Sequence, residues 1–410
     1  TMKIGNCTIA QSGGPTAAIN ATLAGVFQGA SGQFAIGRIF GGLNGIEGIL
    51  NGRLVELQKV LDSEEKIQLL KTTPSSFLGS CRYKLGQSGQ KEAEMQQLFQ
   101  VFQENNIKYF FYIGGNDSMD TILQLEDYQR SHGGDVSFIG VPKTIDNDLT
   151  CIDHTPGFGS AAKYIATSVQ EIALDTAVYD MDSIVVVEVM GRNAGWLALS
   201  AALAKNADGT PAADLIYLPE FAFDYDTLIA DIQKVQERKR QIVIVVSEGI
   251  SDKEGNRIAE AATKDSFGHG QLGGAAKHVE AVIKERLGVK VRAVELNVCQ
   301  RAAGHFLSAR DVNESVMLGK KAVEAALAGK SGVMVTTKRN DGPMYGLTIG
   351  TTEIEKIANQ EKVVPESFVN AEKNGASAAG IAYLKPLIQG EVTIPMEDGL
   401  PKYASLSRWL

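Results

Sequence analysis

The feature that most constrains this chain is a regular alternation of short apolar runs with longer amphipathic segments. Eight runs have the length and the β-branched or aromatic content of buried strands: residues 7–10, 34–39, 109–113, 137–141, 184–189, 214–218, 242–247 and 292–298. Helical patterns lie between them, for example at residues 91–105, 160–175, 195–205, 225–239 and 274–287. This alternation predicts an α/β fold of parallel sheets covered by helices, with ligands bound at the carboxyl ends of the strands.

The length of the chain predicts more than one lobe, because 410 residues exceed what one compact core accommodates. Pro156 and Gly157 interrupt the pattern, and a second apolar sheet starts at Ile184. We therefore expect two Rossmann-like parallel-sheet lobes with the active site in the cleft between them. The expected lobes are residues 1–150, completed by a segment returning near 300–335, and residues 151–300. Residues 336–410 have weaker strand signals, which predicts a peripheral C-terminal region.

The charge and cysteine content narrow the function classes. The net charge of −8 gives no global positive field, so we expect no nucleic acid and no membrane as partner. A polyanionic substrate then requires a local cluster of Arg and Lys. The four cysteines are scattered, as in free thiols of a reducing compartment. No apolar stretch approaches the roughly 20 residues of a membrane span, and the first four residues lack a signal-peptide profile. These features predict a cytoplasmic protein.

The densest cluster of chemically active side chains follows the apolar run that ends at Val141. Residues 142–148 place Lys143, Asp146 and Asp148 on backbone that begins with a proline. One carboxylate can accept a proton while the other helps to hold a metal, and the lysine can neutralise a phosphate. Asn and Asp clusters also build plain turns. The pattern favours Asp146 as a general base, with Asp148 beside the metal.

Two glycine-rich turns also follow apolar runs. Gly13 and Gly14 precede a helical pattern, so backbone N–H groups can approach a phosphate there. The turn lacks the P-loop lysine and the full GxGxxG pattern, which excludes a Walker site and leaves a plain βα turn as an equal alternative. Residues 114–118 read Gly-Gly-Asn-Asp-Ser, offering neutral hydrogen bonds and one carboxylate; helix capping is the alternative here.

The later strand ends carry further polar groups. Residues 189–195 end one strand and include Arg192. Two interpretations of this arginine are open: it binds a phosphate or a sugar, or it is a solvated surface residue. Glu248 ends the next strand and suits sugar hydroxyls or plain exposure. Arg82, Arg292 and Arg301 are, taken singly, more often surface residues than ligands.

Taken together and in order, these motifs resemble the phosphofructokinase family, and more closely its pyrophosphate-dependent branch. The resemblance extends from about Lys3 to about Gly319. It implies reversible, Mg²⁺-dependent transfer of a phosphoryl group to the 1-hydroxyl of fructose 6-phosphate, with residues 1–150 binding the donor and residues 151–300 the acceptor. It also implies a homodimer or homotetramer, since the family takes one clamp arginine from a neighbouring subunit.

The resemblance implies a role for each matching residue. Asp146 is the base, Asp148 supports it and the metal, and Lys143 acts with them. The implied sugar-phosphate contacts are Thr144, Met190, Gly191, Arg192 and Glu248, with Arg292 and Arg301 as the 6-phosphate clamp. The implied donor site comprises Gly13, Gly14, Arg82, Gly115, Asn116, Asp117 and Ser118, with Asp117 also the metal ligand.

The residues at two positions bear on whether the phosphoryl donor is pyrophosphate or ATP. ATP-using relatives have glycine where this chain has Asp117 and Lys143. A side chain at 117 occupies space that a nucleotide α-phosphate crosses, and its charge repels phosphate by roughly 1 kcal/mol at 4 Å in water. A lysine at 143 suits the compact charge of pyrophosphate.

Three departures from the family leave two alternatives open. Asn116 replaces a common acidic residue, while Ser183 and Val298 replace an arginine and a histidine of ATP-using relatives. The alternatives are an ATP-dependent phosphofructokinase that tolerates Asp117 and a non-catalytic sugar-phosphate-binding regulatory subunit.

Overall fold

The computed structural model of the chain describes residues 3–260 and 274–410. Residues 1–2 of the N-terminal stretch considered above lie outside this part. The strands are β1 (Gly5–Gln11), β2 (Ile36–Gly42), β3 (Leu54–Glu56), β4 (Ile107–Gly114), β5 (Ser137–Pro142), β6 (Ser183–Val189), β7 (Leu215–Tyr217), β8 (Gln241–Ser247), β9 (Lys290–Glu295), β10 (Val333–Arg339), β11 (Leu347–Glu353), β12 (Met396–Glu397) and β13 (Leu400–Pro401).

The helices alternate with these strands over most of the chain. They are α1 (Ile19–Ala30), α2 (Gly45–Leu50), α3 (Leu57–Val60), α4 (Glu64–Lys71), α5 (Lys91–Glu104), α6 (Asn116–His132), α7 (Phe158–Thr176), α8 (Trp196–Ser200), α9 (Tyr225–Gln236), α10 (Ala275–Leu287), α11 (Cys299–Ala302), α12 (Ala309–Leu327), α13 (Ala378–Leu384) and α14 (Leu406–Trp409). No helix in the described residues is long and apolar enough to cross a bilayer.

Two largely parallel sheets organise the molecule. The first has the order β11-β10-β5-β4-β1-β2-β3, in which only the edge strands β3 and β11 run antiparallel to their neighbours. The second has the order β7-β8-β6-β9, and all its strands are parallel. The predicted two-lobed α/β fold is therefore confirmed.

The central strands of both sheets are buried on both faces. Along β4, Tyr109, Phe111 and Ile113 point into one apolar cluster, while Phe110 and Tyr112 point into another. Along β6, Val185 and Val187 belong to one cluster and Ile184 and Val186 to the opposite one. Helices cover both faces, so these strands are apolar at successive positions instead of alternating with polar ones.

The end of the chain returns to the first lobe. The strand β10 pairs with β5, and β11, which lies within residues 336–410, pairs with β10. The strand predicted at 292–298 instead ends at Glu295, and Val298 directly precedes α11. Cys7, Cys81, Cys151 and Cys299 are free thiols, as predicted. The boundaries proposed at residues 150 and 300 remain a prediction.

Candidate active site

One cavity collects the carboxyl ends of β1, β4 and β5, which are neighbours in the first sheet. Its volume is ≈ 480 Å³. The residues predicted from the sequence that line it are Gly13, Gly14, Arg82, Gly115, Asn116, Asp117, Ser118, Lys143, Thr144, Asp146 and Asp148. Parallel strands deliver their carboxyl ends to one edge, which explains why loops distant in sequence converge here.

The turn after β1 lies against two cations. Gly13 has a φ of +75°, a left-handed conformation that glycine adopts at little cost. The Lys143 Nζ donates a hydrogen bond to the Gly14 carbonyl oxygen at 2.6 Å. The Arg301 guanidinium also lies against Gly14, with Nη1 3.1 Å from where a Gly14 Cβ would stand. A Cβ at position 14 would require the arginine to shift by a few tenths of an ångström.

Lys143 is a buried cation inside the cavity wall. Its side chain is only 3 % exposed, and burial lowers the pKa of its ammonium to about 8. The carboxylates of Asp146 and Asp148 oppose that shift, whereas Arg301 and Arg82 add to it. The ammonium therefore remains mostly protonated at pH 7, close enough to its pKa to lose the proton within the physiological range.

Asp146 has the properties of a general base. Burial raises the pKa of its carboxyl to about 7, and the nearby carboxylates of Asp148 and Glu248 contribute to the rise. Among residues 3–260 and 274–410, no donor is hydrogen-bonded to that carboxylate, so its oxygens are available to a substrate hydroxyl. Burial also raises the pKa of Asp148. A base whose pKa lies near the working pH transfers protons most efficiently.

The backbone around Asp146 is fixed by the segment that follows it. The Thr144 N–H donates to the Pro156 carbonyl oxygen at 3.2 Å, and the Thr155 hydroxyl donates to the Thr144 carbonyl oxygen at 2.7 Å. Asn147, between the two aspartates, is completely buried with a φ of +54°. The sequence did not identify Asn147 as a functional residue, because an asparagine between two aspartates is also typical of a plain turn.

The loop after β4 opens helix α6, so the free N–H groups of its first turn face the cavity and favour phosphate. The Ser118 hydroxyl is hydrogen-bonded to that of Ser12. Asp117 pairs with Lys84 at 3.1 Å, and both side chains are mostly exposed. Lys84 was missed from the sequence, although it lies only two residues after Arg82.

The Asn116 amide is turned towards the C-terminal segment. Its Nδ2 donates to the Gln360 carbonyl oxygen, and its Oδ1 accepts a hydrogen bond from the Asn359 N–H at 3.1 Å. The departure from the acidic residue of the family thus has a structural use here, since a carboxylate at 116 has no N–H to offer Gln360.

The segments that follow the strands of the second lobe are held together by backbone-to-side-chain hydrogen bonds and by one close backbone approach. The Gly191 N–H donates to the Glu248 Oε1 at 3.2 Å, and the Met190 N–H donates to the Gln300 side chain at 3.0 Å. A Cβ on Gly249 would lie 1.8 Å from the Arg192 carbonyl oxygen, so only glycine permits this approach. Arg192 itself is exposed. The charge of Glu248 contributes to the raised pKa of Asp146.

Arg292 and Arg301 are not brought together within this chain. Arg292 lies towards the amino end of β9, paired in register with Val185, whereas Arg301 lies beside the Gly13–Gly14 turn. The Arg292 guanidinium is 3.6 Å from the Asp175 carboxylate. It lines a separate small cavity of ≈ 50 Å³ together with Ser183 and Lys290. One chain therefore does not assemble the predicted two-arginine clamp.

Comparison with known proteins is consistent with this geometry. Residues 6–326 match the family model described as Phosphofructokinase, and the chain belongs to the phosphofructokinase family. It is 41% identical over 406 residues to the pyrophosphate–fructose 6-phosphate 1-phosphotransferase of Halomonas elongata, covering 98% of this chain and 96% of that one. The enzyme of the same name from Xanthomonas campestris is 42% identical over 410 residues, with 99% and 97% covered.

A solved structure is similar over the same extent. The pyrophosphate-dependent phosphofructokinase of Nitrosospira multiformis superposes with a TM-score of 0.88 at 38% sequence identity, covering 98% of this chain and 96% of that one. The similarity thus includes residues 336–410 as well as the two sheets.

Proposed function

We propose that this protein is a pyrophosphate:fructose 6-phosphate 1-phosphotransferase that works reversibly, yielding fructose 1,6-bisphosphate and phosphate. The observation that carries the proposal is the presence of Lys143 and Asp117 in one cavity with Asp146. The lysine places a buried positive charge against the Gly13–Gly14 turn, where a compact donor fits. Relatives about 40% identical over nearly the whole chain carry the same enzyme name.

The chemistry follows from the charges in the cavity. Asp146 takes the proton of the sugar 1-hydroxyl, whose oxygen forms a bond to the nearer phosphorus of pyrophosphate. The bond from that phosphorus to the bridging oxygen breaks, and inorganic phosphate leaves. Lys143 stabilises the negative charge that develops on the leaving phosphate. Phosphoryl transfer has a loose transition state, so positioning and charge neutralisation provide most of the catalysis.

The cavity offers oxygen ligands that fit Mg²⁺. Asp117, Asp146 and Asp148 line it, although the described residues contain no preformed group of three or more metal-ligating side chains. Mg²⁺ is commonly bound by one or two carboxylates together with substrate phosphates, so a fully formed protein cage is not required. When bound, the ion would neutralise phosphate charge and help to orient the donor. Asp117 and Asp148 are the ligands we assign to it.

The acceptor is bound from the second lobe, with Thr144 contributing from the first. We assign the second-lobe contacts to Met190, Gly191, Arg192 and Glu248, which follow β6 and β8 in the chain. We assign Arg292 to the 6-phosphate clamp of a neighbouring subunit, which makes the active enzyme a homodimer or homotetramer. The exposed side chains of Tyr179 and Met181 line the same small cavity as Arg292 and suit a subunit contact.

The decisive experiment compares phosphoryl donors. Purified protein with Mg²⁺ and fructose 6-phosphate should turn over with pyrophosphate and not with ATP, followed by a coupled assay for fructose 1,6-bisphosphate. Polyphosphate serves as a third donor. ATP turnover without pyrophosphate turnover would establish the ATP-dependent alternative instead. Binding of fructose 6-phosphate without turnover by any donor would establish a regulatory subunit.

A further inference from the structure

The C-terminal segment contacts the catalytic loop directly. We define the catalytic loop as residues 143–148. The Lys362 backbone N–H donates to the Asp148 carbonyl oxygen at 2.7 Å, and Asn116 holds Asn359 and Gln360 on the other side of the cavity. The segment is thereby fixed at two points on the rim of the active site.

The Lys362 ammonium donates hydrogen bonds to the catalytic loop and to the residues that follow it. Its Nζ donates to the carbonyl oxygens of Ile152 and Asp153, both at 3.0 Å, and to the Asn147 Oδ1 at 3.3 Å. These three acceptors use all three donors of the ammonium group. The charge also lies 5.4 Å from the ring centre of Trp196 in the second lobe, whose Nε1 donates to the Lys362 carbonyl oxygen at 3.0 Å. Lys362 therefore connects the catalytic loop, which follows β5 of the first lobe, to Trp196 of the second lobe.

Tyr383 holds the other end of the Asn147 amide. The Asn147 Nδ2 donates to the Tyr383 hydroxyl oxygen at 2.9 Å, and that hydroxyl donates to the Asp153 carbonyl oxygen. The tyrosine ring is itself fixed, with its centre 5.2 Å from that of Trp196 and 4.7 Å from the Arg339 guanidinium. Both polar ends of Asn147 are thus bonded to residues from the C-terminal segment.

Asn147 needs hydrogen-bond partners because its amide is completely buried, and an unsatisfied buried polar group costs about 1–3 kcal/mol. Besides Lys362 and Tyr383, the Thr155 N–H donates to the Asn147 Oδ1 at 3.0 Å. Since Asn147 lies between Asp146 and Asp148, its conformation sets the direction in which both carboxylates leave the backbone.

We propose that Lys362 and Tyr383 are positioning residues that orient Asp146 through Asn147. The inference builds on the proposed function, since it takes Asp146 as the base. Neither side chain lines the cavity, so neither is expected to bind substrate. Small displacements of a reacting group are costly, with about 1 Å corresponding to roughly 100-fold in rate. Loosening the loop should therefore slow the chemistry more than it weakens binding.

The test compares matched variants in steady-state kinetics with Mg²⁺, pyrophosphate and fructose 6-phosphate. Tyr383→Phe keeps the ring and removes the hydroxyl, and Lys362→Met keeps the length and removes the charge. We expect kcat to fall about 10-fold and about 100-fold respectively, on the scale of the positioning effect above. Both KM values should stay within about twofold, because substrate contacts are unchanged.

Two controls carry the same changes elsewhere. Lys163 is also buried and also donates to backbone carbonyls, those of Leu307 and Gly390, but it has no contact with the catalytic loop. Tyr345 also lies beside Arg339, with its hydroxyl on Glu314. Lys163→Met and Tyr345→Phe should keep the wild-type kcat even where they lower the melting temperature.

Hydrogen–deuterium exchange of the free protein separates this inference from the proposed function. Peptides covering residues 143–155 should exchange faster in Tyr383→Phe and Lys362→Met than in the wild type or the controls. Inactivity of the wild-type protein with pyrophosphate would overturn the proposed function alone. A wild-type kcat in Tyr383→Phe, an equal loss in the controls, or unchanged exchange of the loop would overturn the inference. Tyr383→Phe alone decides the matter if Lys362→Met does not fold.

Discussion

The two edges of the cleft are built on different principles. On the first-lobe edge, Lys143 and Asp146 are ionisable groups that burial has moved towards neutral pH, with pKa values of about 8 and about 7. On the second-lobe edge, order comes from backbone contacts such as the glycine-dependent approach of Gly249 to Arg192, and Arg192 remains exposed. The proposed function uses this difference, because it assigns the chemistry to the first lobe and the binding of the acceptor to the second.

Removal of the base should have the largest effect. Asp146→Asn keeps the size of the side chain and removes its ability to take a proton, so kcat should fall about 10²- to 10⁴-fold. The KM for fructose 6-phosphate should change little. Asp62→Asn, a change at an exposed aspartate, is the control in the same coupled assay. A large rise in KM at unchanged kcat would instead assign Asp146 to binding.

Removal of the buried cation should have the next largest effect. Hydrogen bonds to charged groups contribute about 1.5–3 kcal/mol, or about 10- to 150-fold. Lys143→Met should lower kcat/KM for pyrophosphate by that factor, measured at saturating fructose 6-phosphate. The control quantity is the KM for fructose 6-phosphate. An equal loss of sugar affinity would show that Lys143 does not act on the donor.

The two perturbed groups predict a narrow optimum of pH. Asp146 must be ionised, so kcat/KM should rise with pH until it passes the Asp146 pKa of about 7. Lys143 must be protonated, so kcat/KM should fall once pH exceeds the Lys143 pKa of about 8. Each limb of the pH profile should change about tenfold per pH unit away from the optimum.

The variant Lys143→Met tests both assignments. Its upper limb should disappear, and its lower limb should move to higher pH because a cation that favours the Asp146 carboxylate is absent. A flat profile between about pH 6 and 9 would contradict both assignments.

The second-lobe edge predicts a binding effect. Arg192→Met should raise the KM for fructose 6-phosphate about tenfold and leave kcat nearly unchanged, because removing one hydrogen bond to a charged group costs about 1.5 kcal/mol or more. Arg257 lies beside it, hydrogen-bonded to Asn193 at 2.8 Å, and Arg257→Met is the matched control. A loss of kcat as large as that of Lys143→Met would remove the distinction between the two edges.

The smallest effect on the choice between donors is expected from the charge of Asp117, which is separate from its proposed role as an Mg²⁺ ligand. Its carboxylate is mostly exposed and paired with Lys84, so its repulsion of a nucleotide should be near the value in water, about 1 kcal/mol or fivefold. Asp117→Gly should therefore strengthen inhibition by ATP against pyrophosphate by about fivefold or somewhat more. Asp117→Asn removes the charge and keeps the size, which separates repulsion from steric exclusion. Unchanged inhibition in both variants would show that donor choice depends on Lys143.

Much of the fold was predictable because the central strands of both sheets are buried on both faces. Strands such as β4 and β6 then consist of continuous apolar runs, which are visible without any knowledge of their partners. The limits of β9 were predicted less well, since its burial is only partial and its apolar run continues past Glu295. The C-terminal region gave weak signals because it completes a sheet and packs into an existing framework without forming a core of its own.

The sequence also identified the cavity residues that lie directly after strands. Lys143, Asp146 and the glycine turns are in such positions, and the carboxyl ends of parallel strands share one edge of the sheet. Arg292 and Arg301 are close in sequence but not in space. Arg292 lies in strand β9, whereas Arg301 follows a turn and lies in the short helix α11. The positions of Asn147, Lys362 and Tyr383 had no sequence signal at all.

The sequence by itself therefore determined the α/β architecture, the family and the ionisable groups of the catalytic loop, because each depends on local composition at strand ends. Only the tertiary structure decided how acidic those groups are and which residues hold them. The pKa values of Lys143 and Asp146 are set mainly by burial, and burial depends on everything that packs around the loop. Two partners of the Asn147 side chain, Lys362 and Tyr383, lie more than two hundred positions away in sequence, and only folding makes them its neighbours.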